Sequence, residues 1–361
     1  AIHSRSGGGV TYLRNILPLL ARDVRIEIHV LMHEEQHDTY SDYLSGCKVH
    51  YLHYPDTRLR TLFYEQVFLP VLARRLNMDV VFSPANYGPI FAGRSVILLR
   101  NALGVAFEEK RPSKIIYWLL LYSATFMSIV AARRIISVSN YASRSCPAVL
   151  VSLLRHRLDI VPHGVGAAFV PQKIARRRES EMLAVSDLYV QKNLHRLIEA
   201  FSLIVDRFPD VKLLIAGKPI DQDYADILHK SIIELELEGR VEFLGSVETD
   251  KLVELYQRCT LFVFPSTVET FGNPIVEAMA CGAPVASSNA AAMPEVAGDA
   301  AVYFDPRNIE HMASVLSDLL SDPAKRAELS VKSLEHSRLF SWEITAEKLT
   351  ENLLKAGNYK C

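Results

Sequence analysis

Short apolar runs alternate with longer segments of mixed polarity through the first half of the chain. The apolar runs are rich in β-branched and aliphatic residues, which favour strands, and they lie at 25–32, 79–83, 95–99, 134–138 and 159–161. The intervening segments have the length of helices and lie at 62–76, 113–132 and 140–156. Short apolar strands separated by helices predict a parallel sheet with right-handed crossovers.

The second half of the chain repeats this alternation. Strands are predicted at 182–186, 211–216, 241–244, 260–264 and 284–287. Helices are predicted between them at 193–207, 222–237, 249–258 and 274–281, and at the end of the chain at 308–321, 323–337 and 341–356. The two halves therefore indicate two domains with one α/β architecture.

A glycine- and proline-containing break at 162–166 separates the halves, and a polar, basic stretch follows it. We expect an N-terminal domain at 1–165, a linker at 166–181 and a C-terminal domain at 182–340. The last segment, 341–361, is expected to form a helix that packs back on the N-terminal domain. Two doubly wound, Rossmann-like domains would then face each other across a cleft, where the carboxyl ends of their strands bind ligands.

Composition and charge narrow the function classes. The chain of 361 residues has a length typical of two domains. Its 40 Lys and Arg residues balance 41 Asp and Glu residues, so the charge gives no footprint for nucleic acid. Five scattered cysteines without a C-x-x-C pair predict a reducing cytosol. No signal peptide is visible, and the start at Ala1, close to a glycine run, indicates a trimmed N-terminus.

Candidate chemistry concentrates between Glu269 and Glu277, in the segment Glu-Thr-Phe-Gly-Asn-Pro-Ile-Val-Glu. Asn273 can cap a helix and Pro274 suits its first position. Glu277 would then lie in the first turns of that helix, and Glu269 on the loop before it. The N–H groups at a helix start form an anion site suited to a phosphate. Two carboxylates beside such a site indicate a ligand with hydroxyl groups at one end and phosphate at the other.

This segment closely resembles the glutamate-x7-glutamate motif of retaining glycosyltransferases with the GT-B fold, of the family-4 type known as glycosyl transferases group 1. Other landmarks of that family occur in the same order at 6–10, 137–139, 161–165, 192–193, 197–201, 214–217, 241–245, 294–296 and 340–342. The resemblance covers nearly the full length and implies a GT-B fold for the whole chain.

The resemblance also implies roles for individual residues. Glu277 would hold the ribose hydroxyls of a nucleotide, and Glu269 would contact hydroxyls of the donor sugar. Lys192 would neutralise the leaving diphosphate, whose growing charge must be stabilised. Further donor contacts are implied for the backbone amides of Phe271, Gly272 and Asn273, for Leu244 beside the base, and for Gly8 and Gly9 near the phosphates.

Two positions depart from the family pattern. Ser186-Asp187 stands where the family has Gly-Arg, and Arg100-Asn101 stands where it has His followed by Asp or Asn. An arginine cannot act as a general base, so we expect Arg100, beside Asn101, to bind donor phosphate or sugar. Either Asp187 turns away from the phosphates and caps or bridges a local group, or another cation, Arg100 or Lys218, approaches to offset its charge. Lys218 is a candidate compensating cation, and His163 is a further candidate for the site.

A competing motif is His33-Glu34-Glu35-Gln36-His37, which matches the H-E-x-x-H pattern of zinc peptidases. That chemistry needs both histidines and the glutamate on one stable helix. Here the motif follows a strand-like alternation, and we therefore expect no metal site. No other cofactor is expected.

An uncharged stretch of 18 residues, 115–132, lies between Lys114 and Arg133. This length just reaches the lower limit for a bilayer span. It also carries several polar side chains and precedes a predicted strand, which favours a helix packed on the sheet. We expect its outer face to rest on a membrane surface.

The expected function is transfer of a hexose-type sugar from a nucleoside-diphosphate donor to an acceptor hydroxyl. The family implies retention of configuration, a mannosyltransferase-like chemistry, and polysaccharide or lipid-linked glycan acceptors. We expect a cytoplasmic protein at the inner face of the membrane, without a nucleic acid partner. Two alternatives stay open: a non-catalytic GT-B relative that binds glycan or nucleotide, and a zinc peptidase.

Overall fold

The computed structural model describes residues 8–53, 64–100, 112–144, 152–172 and 180–358, and at 112–120 only the backbone is described. The chain divides into two compact units. The first comprises residues 1–164 and 341–361, and the second comprises 165–340. Every strand pair that the structure describes is parallel, which confirms the predicted α/β class.

The first unit contains two parallel sheets. One has two strands in the order β1-β2 and the other has four in the order β3-β4-β5-β6. These strands are β1 (His29–His33), β2 (Lys48–Leu52), β3 (Val81–Ser83), β4 (Ser95–Leu99), β5 (Arg134–Ser137) and β6 (Leu158–Ile160). The described α-helices before residue 165 are α1 (Gly8–Ala21), α2 (His37–Tyr40), α3 (Leu69–Arg75), α4 (Pro112–Ala131) and α5 (Asn140–Arg144).

The second unit is built on one six-stranded parallel sheet in the order β12-β11-β10-β7-β8-β9. Its strands are β7 (Glu181–Val185), β8 (Lys212–Ala216), β9 (Val241–Gly245), β10 (Leu261–Phe264), β11 (Val285–Ser288) and β12 (Ala301–Phe304). The strand order reverses between β7 and β10. In doubly wound sheets such a switch point opens a crevice for ligands at the carboxyl ends of the strands.

Helices cover both faces of this sheet and pack on two buried clusters of aliphatic and aromatic side chains. They are α6 (Leu194–Ser202), α7 (Gln222–Glu234), α8 (Thr249–Arg258), α9 (Asn273–Ala280), α10 (Met293–Ala297), α11 (Ile309–Ser321) and α12 (Pro323–Ser337). Strands β10 and β11 are buried along their whole length and β7 is buried except at its two end residues, as in other parallel sheets covered by helices.

The last helix, α13 (Trp342–Gly357), belongs to the first unit. The Trp342 ring stacks on His163 at 5.6 Å between centroids, and the Thr345 hydroxyl donates to the Pro162 carbonyl at 2.8 Å. A side chain at Gly164 would collide with the Trp342 backbone, because a Cβ there would lie 2.1 Å from its nitrogen. The glycine at 164 thus permits the close approach of α13.

Five of the named elements were not predicted from the sequence: α1, α2, α10, β2 and β12. Helix α1 begins at Gly8, so Gly8 and Gly9 lie in its first turn. Strands β2 and β12 are short, and exposed or half-buried positions interrupt their apolar pattern. Within the described residues, no helix combines the length and the apolar character that a membrane crossing requires.

Candidate functional site

The candidate site lies at the switch point of the second sheet. Strands β7 and β10 are direct neighbours there, with Leu261 opposite Met182. The loop after β7 leads to Lys192, and the loop after β10 leads to Glu269. Parallel strands that pair side by side release both loops at the same edge of the sheet, which brings residues 77 positions apart into contact.

Hydrogen bonds join these two loops. The Thr267 amide and hydroxyl both donate to the Gln191 carbonyl, at 2.9 and 3.2 Å. The Asn193 side-chain amide donates to the carbonyls of Pro265 at 3.1 Å and Pro306 at 2.7 Å. Asn193 is buried and adopts a left-handed conformation with φ of 58°, which asparagine tolerates better than most residues. Hydrogen bonds of its two neighbours in the chain, Gln191 and Asn193, therefore fix the backbone position of Lys192.

Lys192 and Glu269 form an ion pair. Their side chains are only 19% and 18% exposed, so the pair is largely shielded from water. Charge-assisted contacts between an ammonium group and a carboxylate are stronger than neutral hydrogen bonds. The structure thus brings Lys192, which is predicted to neutralise the leaving diphosphate, into contact with Glu269, which is predicted to contact the donor sugar. Each side chain fixes the position of the other.

Glu277 lies on α9 and is half-buried. Burial raises the pKa of its carboxyl to about 7, and a hydrogen bond from the Tyr256 hydroxyl, at 3.2 Å, partly opposes that rise. Near neutral pH this carboxyl therefore exists in both protonation states. Only the ionised form offers both oxygens as acceptors to the hydroxyls of a ligand.

The start of α9 differs from the expectation in its capping residue. Gly272, not Asn273, occupies the N-cap, because the chain turns there through a positive φ of 94° that favours glycine. Asn273 is the first helical residue, and the Phe271 ring packs against Phe340 at 5.6 Å between centroids. In this first turn Pro274 has no N–H group and the Ile275 amide donates to the Gly272 carbonyl at 3.0 Å, while the helix start carries the positive end of the helix dipole.

Asp187 is bound locally. Its carboxylate accepts a hydrogen bond from the Lys218 backbone amide at 3.0 Å, which fits the expectation that it caps a nearby group. Gly217 makes this possible, because a Cβ there would lie 1.8 Å from the Ser186 carbonyl oxygen. Lys218 takes part through its backbone, and its residue is exposed at the end of β8.

We expect Asp187→Ala to leave nucleotide affinity within a factor of about two. The lost hydrogen bond should cost roughly 1 kcal/mol of the free energy of unfolding. Calorimetric titration with a nucleoside diphosphate and thermal denaturation measure the two quantities, with Asp210→Ala at an exposed position as the control. A gain of tenfold or more in nucleotide affinity would show instead that the Asp187 carboxylate repels the phosphates.

The remaining predicted site residues have varied surroundings. Leu244 is half-buried in β9 and packs against the cluster that contains Tyr256. His163 is buried against the rings of Tyr12, at 5.2 Å between centroids, and Trp342, which places it in the core of the first unit. The interpretation of His163 as a site residue therefore loses its support.

Arg100 follows β4 in the first unit, and its backbone amide donates to the Asn86 side chain at 2.9 Å. Burial lowers the pKa of its guanidinium, and the neighbouring Tyr12 and Tyr40 hydroxyls oppose this. Asn101 lies outside the described residues. Gly8 is exposed and Gly9 is buried in the first turn of α1.

The zinc-like motif does not form one helix. His33 ends β1, Glu34–Gln36 form a 3-10 turn, and His37 begins the one-turn helix α2. The His37 ring instead contacts the Tyr51 hydroxyl at 2.6 Å. Among the residues that the structure describes, no group of three or more His, Cys, Asp or Glu side chains is arranged to hold a metal ion.

Two contributors to the site were missed in the sequence. Tyr256 reaches Glu277 from a helix that precedes it by 21 positions, and Thr267 joins the two loops. Neither residue type is specific enough to reveal such a contact without the fold. The apolar spacing of α8, which turns Tyr256 inward, was the one signal in the sequence.

Comparison with known proteins agrees with this architecture. Residues 168–335 match the family of glycosyl transferases group 1. The chain is 30% identical over 229 residues to O-antigen chain mannosyltransferase B of Escherichia coli, which covers 60% of this chain and 59% of that protein. It therefore spans less than two thirds of this relative.

Solved structures match over nearly the whole chain. Anabaena Alr3699/HepE in complex with UDP-glucose has a TM-score of 0.77 at 19% identity and covers 98% of each chain. WaaG, a glycosyltransferase involved in lipopolysaccharide biosynthesis, has a TM-score of 0.74 at 14% identity and covers 97% of this chain and 96% of its own. The resemblance drawn from the sequence is confirmed: residues 168–335 match the glycosyl transferases group 1, and the fold of the chain is GT-B.

Proposed function

We propose that this chain transfers a hexose-type sugar from a nucleoside-diphosphate donor to a hydroxyl of a glycan acceptor, with retention at the anomeric carbon. The observation that carries the proposal is the Lys192–Glu269 ion pair at the sheet switch point. The relative that makes O-antigen chains and the neighbour solved with UDP-glucose support the donor and acceptor classes. Retention rests on the family alone.

In this proposal the second unit binds the donor. The Glu277 carboxylate accepts hydrogen bonds from the ribose hydroxyls. The phosphates lie near the start of α9, where the positive end of a helix dipole favours an anion. Glu269 contacts hydroxyls of the sugar and at the same time orients Lys192.

Lys192 performs the electrostatic part of the reaction. The bond from the anomeric carbon to the diphosphate oxygen breaks, a bond from that carbon to the acceptor oxygen forms, and the acceptor proton passes to the leaving diphosphate. Negative charge grows on the leaving oxygen before the proton arrives. An ammonium group already held by Glu269 needs little rearrangement to stabilise that charge, which is the condition under which electrostatic catalysis is most effective. Lys192 and the start of α9 together stabilise the charge on the leaving oxygen.

A panel of nucleotide sugars, followed by mass spectrometry of the products, tests the proposal. Binding of the right donor should raise the melting temperature of the protein, because the ligand stabilises only the folded state. Release of nucleoside diphosphate with formation of a glycoside would establish transfer. Binding without consumption of any donor in the presence of glycan acceptors would favour the non-catalytic alternative.

We also propose that the outer face of α4 contacts an anionic membrane surface. Tyr122, Phe126, Met127 and Val130 lie on that face and are 40%, 40%, 48% and 49% exposed. Ile129, on the opposite face, packs into the buried cluster of the first sheet. The following Arg133 is exposed and supplies positive charge beside the apolar stripe, as interfacial helices require.

Phe126→Glu should reduce sedimentation of the protein with anionic vesicles at low salt by about tenfold, because it places a negative charge in the stripe. Val331→Glu, at a position that is 57% exposed on the second unit, is the matched control. Failure of the unaltered chain to sediment with such vesicles would refute the membrane proposal.

A further inference from the structure

Tyr256 lies beneath Glu277 in the second unit and is completely buried. Its ring packs edge-on against Phe169 at 6.1 Å and Phe262 at 5.4 Å between centroids. These contacts fix the direction of its hydroxyl, which donates to Glu277 Oε2 at 3.2 Å. A polar group placed so deep in an apolar cluster is costly unless it has a partner, and Glu277 is that partner.

The direction of this hydrogen bond is set by the surroundings. Burial raises the pKa of the Tyr256 hydroxyl well above its usual value, so the hydroxyl keeps its proton and always donates. The acceptor must then be a carboxylate oxygen with a free lone pair. The bond holds one oxygen of Glu277 in a fixed place and selects one rotamer of a side chain that otherwise has three rotatable bonds.

We propose that Tyr256 is the positioning residue that makes Glu277 selective for a ribose with both its 2′- and 3′-hydroxyls. This inference rests on the proposed function, in which Glu277 binds the nucleotide ribose. A carboxylate held in one rotamer aligns its two oxygens with a vicinal diol. A freely rotating carboxylate binds a single hydroxyl nearly as well, and therefore discriminates poorly against a deoxyribose.

The charged and titratable groups that face Glu277 are few. Among the described residues they include Tyr256 from α8 and Cys281 after the end of α9, and Cys259 interacts with both of these rather than with Glu277. Burial raises the pKa of the Cys281 thiol, so Cys281 is neutral near pH 7 and does not exchange a proton with Glu277 there. Tyr256 is thus the group whose removal changes the electrostatics of Glu277 most directly.

The test compares Tyr256→Phe with the unaltered protein, using UDP, GDP and their 2′-deoxy analogues as probes. The substitution keeps the ring packing and removes only the hydroxyl. We expect the preference for the ribonucleotide over its deoxy analogue to fall about fivefold to tenfold, as expected for losing a hydrogen bond to a charged group. Tyr303→Phe is the control, because the Tyr303 hydroxyl donates to the Gly298 carbonyl at 2.6 Å in the same unit.

A second measurement is independent of nucleotide binding. The pKa of Glu277, followed by the NMR shift of its carboxyl carbon, should rise in Tyr256→Phe, because the lost bond stabilised the ionised form. An unchanged pKa of Glu277 or an unchanged ribose preference would overturn the positioning role. If Glu277→Ala instead binds the nucleotides as well as the unaltered protein does, the assignment of the ribose site under the proposed function fails.

Discussion

Lys192→Ala should lower the rate of sugar transfer by about two to three orders of magnitude, a loss typical for removal of one preorganised electrostatic group. The ammonium group is paired with Glu269 and shielded from water, so its charge acts strongly on a diphosphate nearby. The substitution also leaves the Glu269 carboxylate without its partner, beside the position proposed for the leaving group. Both effects oppose the growth of negative charge in the transition state.

Rates of product formation with saturating donor measure this loss. Lys230→Ala is the matched control, since Lys230 is a largely exposed lysine on α7 that pairs with Glu234 one turn along the helix. Circular dichroism and the melting temperature should show a folded protein in both variants. Transfer at the unaltered rate in Lys192→Ala would contradict the proposed role of Lys192 and would favour the alternative of a non-catalytic binding protein.

Glu277→Ala should weaken binding of the free nucleotide by about 2 kcal/mol, roughly thirtyfold, because it removes a charged acceptor for two ribose hydroxyls. Glu269→Ala should instead leave nucleotide affinity nearly unchanged and remove transfer. The difference arises from their partners: Glu277 is bonded by Tyr256 deep in the unit, whereas Glu269 is bonded to Lys192 at the reacting end. Calorimetric titration at constant pH separates the two variants.

The pH dependence of nucleotide affinity gives the same assignment a second test. The pKa of Glu277 is raised to about 7, and only its ionised form accepts from both hydroxyls. Affinity should therefore rise with pH between about 6 and 8 and level off above that range. Glu277→Gln, which cannot ionise, should lose this dependence. If the pH dependence of nucleotide affinity persists in Glu277→Gln, it arises from the titration of another group.

The raised pKa of Glu277 also has a consequence for stability. An acid whose pKa is higher in the folded state than in the unfolded chain costs stability once the pH passes its unfolded value, and the cost grows until the folded pKa is exceeded. Glu277→Gln should therefore melt at a higher temperature than the unaltered protein at pH 8, and the difference should vanish near pH 4. A group retained at the expense of stability fits a functional role.

The pattern of the sequence predicted the elements of the second unit closely. The strands at 212–216 and 241–245 and the helix at 249–258 lie within one residue of their expected bounds. Their apolar runs are long, and turn residues delimit them clearly. The pattern predicted less of the first unit, where α1 contains Pro18 and begins at consecutive glycines that usually indicate a loop.

The sequence indicated residues of the candidate site but not the contacts between them. Glu269, Glu277 and Lys192 were selected from the sequence, and the fold then placed Lys192 on Glu269. Tyr256 could not be selected, because its contact with Glu277 depends on how α8 and α9 pack on the sheet. The left-handed turns at Asn193 and Gly272 depend likewise on neighbouring strands. The sequence indicates which residues carry the chemistry, whereas contacts between side chains of different helices and loops can be identified only from the tertiary structure.

The most direct test of the central claim is transfer itself. The unaltered protein should release nucleoside diphosphate and form a glycoside from one donor of the nucleotide-sugar panel when a glycan acceptor is present. The same assay with Lys192→Ala should show product formation slower by about two to three orders of magnitude. If no donor is consumed by the unaltered protein with any glycan acceptor, although a nucleotide binds at Glu277, the chain is a binding protein and the proposed catalysis is wrong.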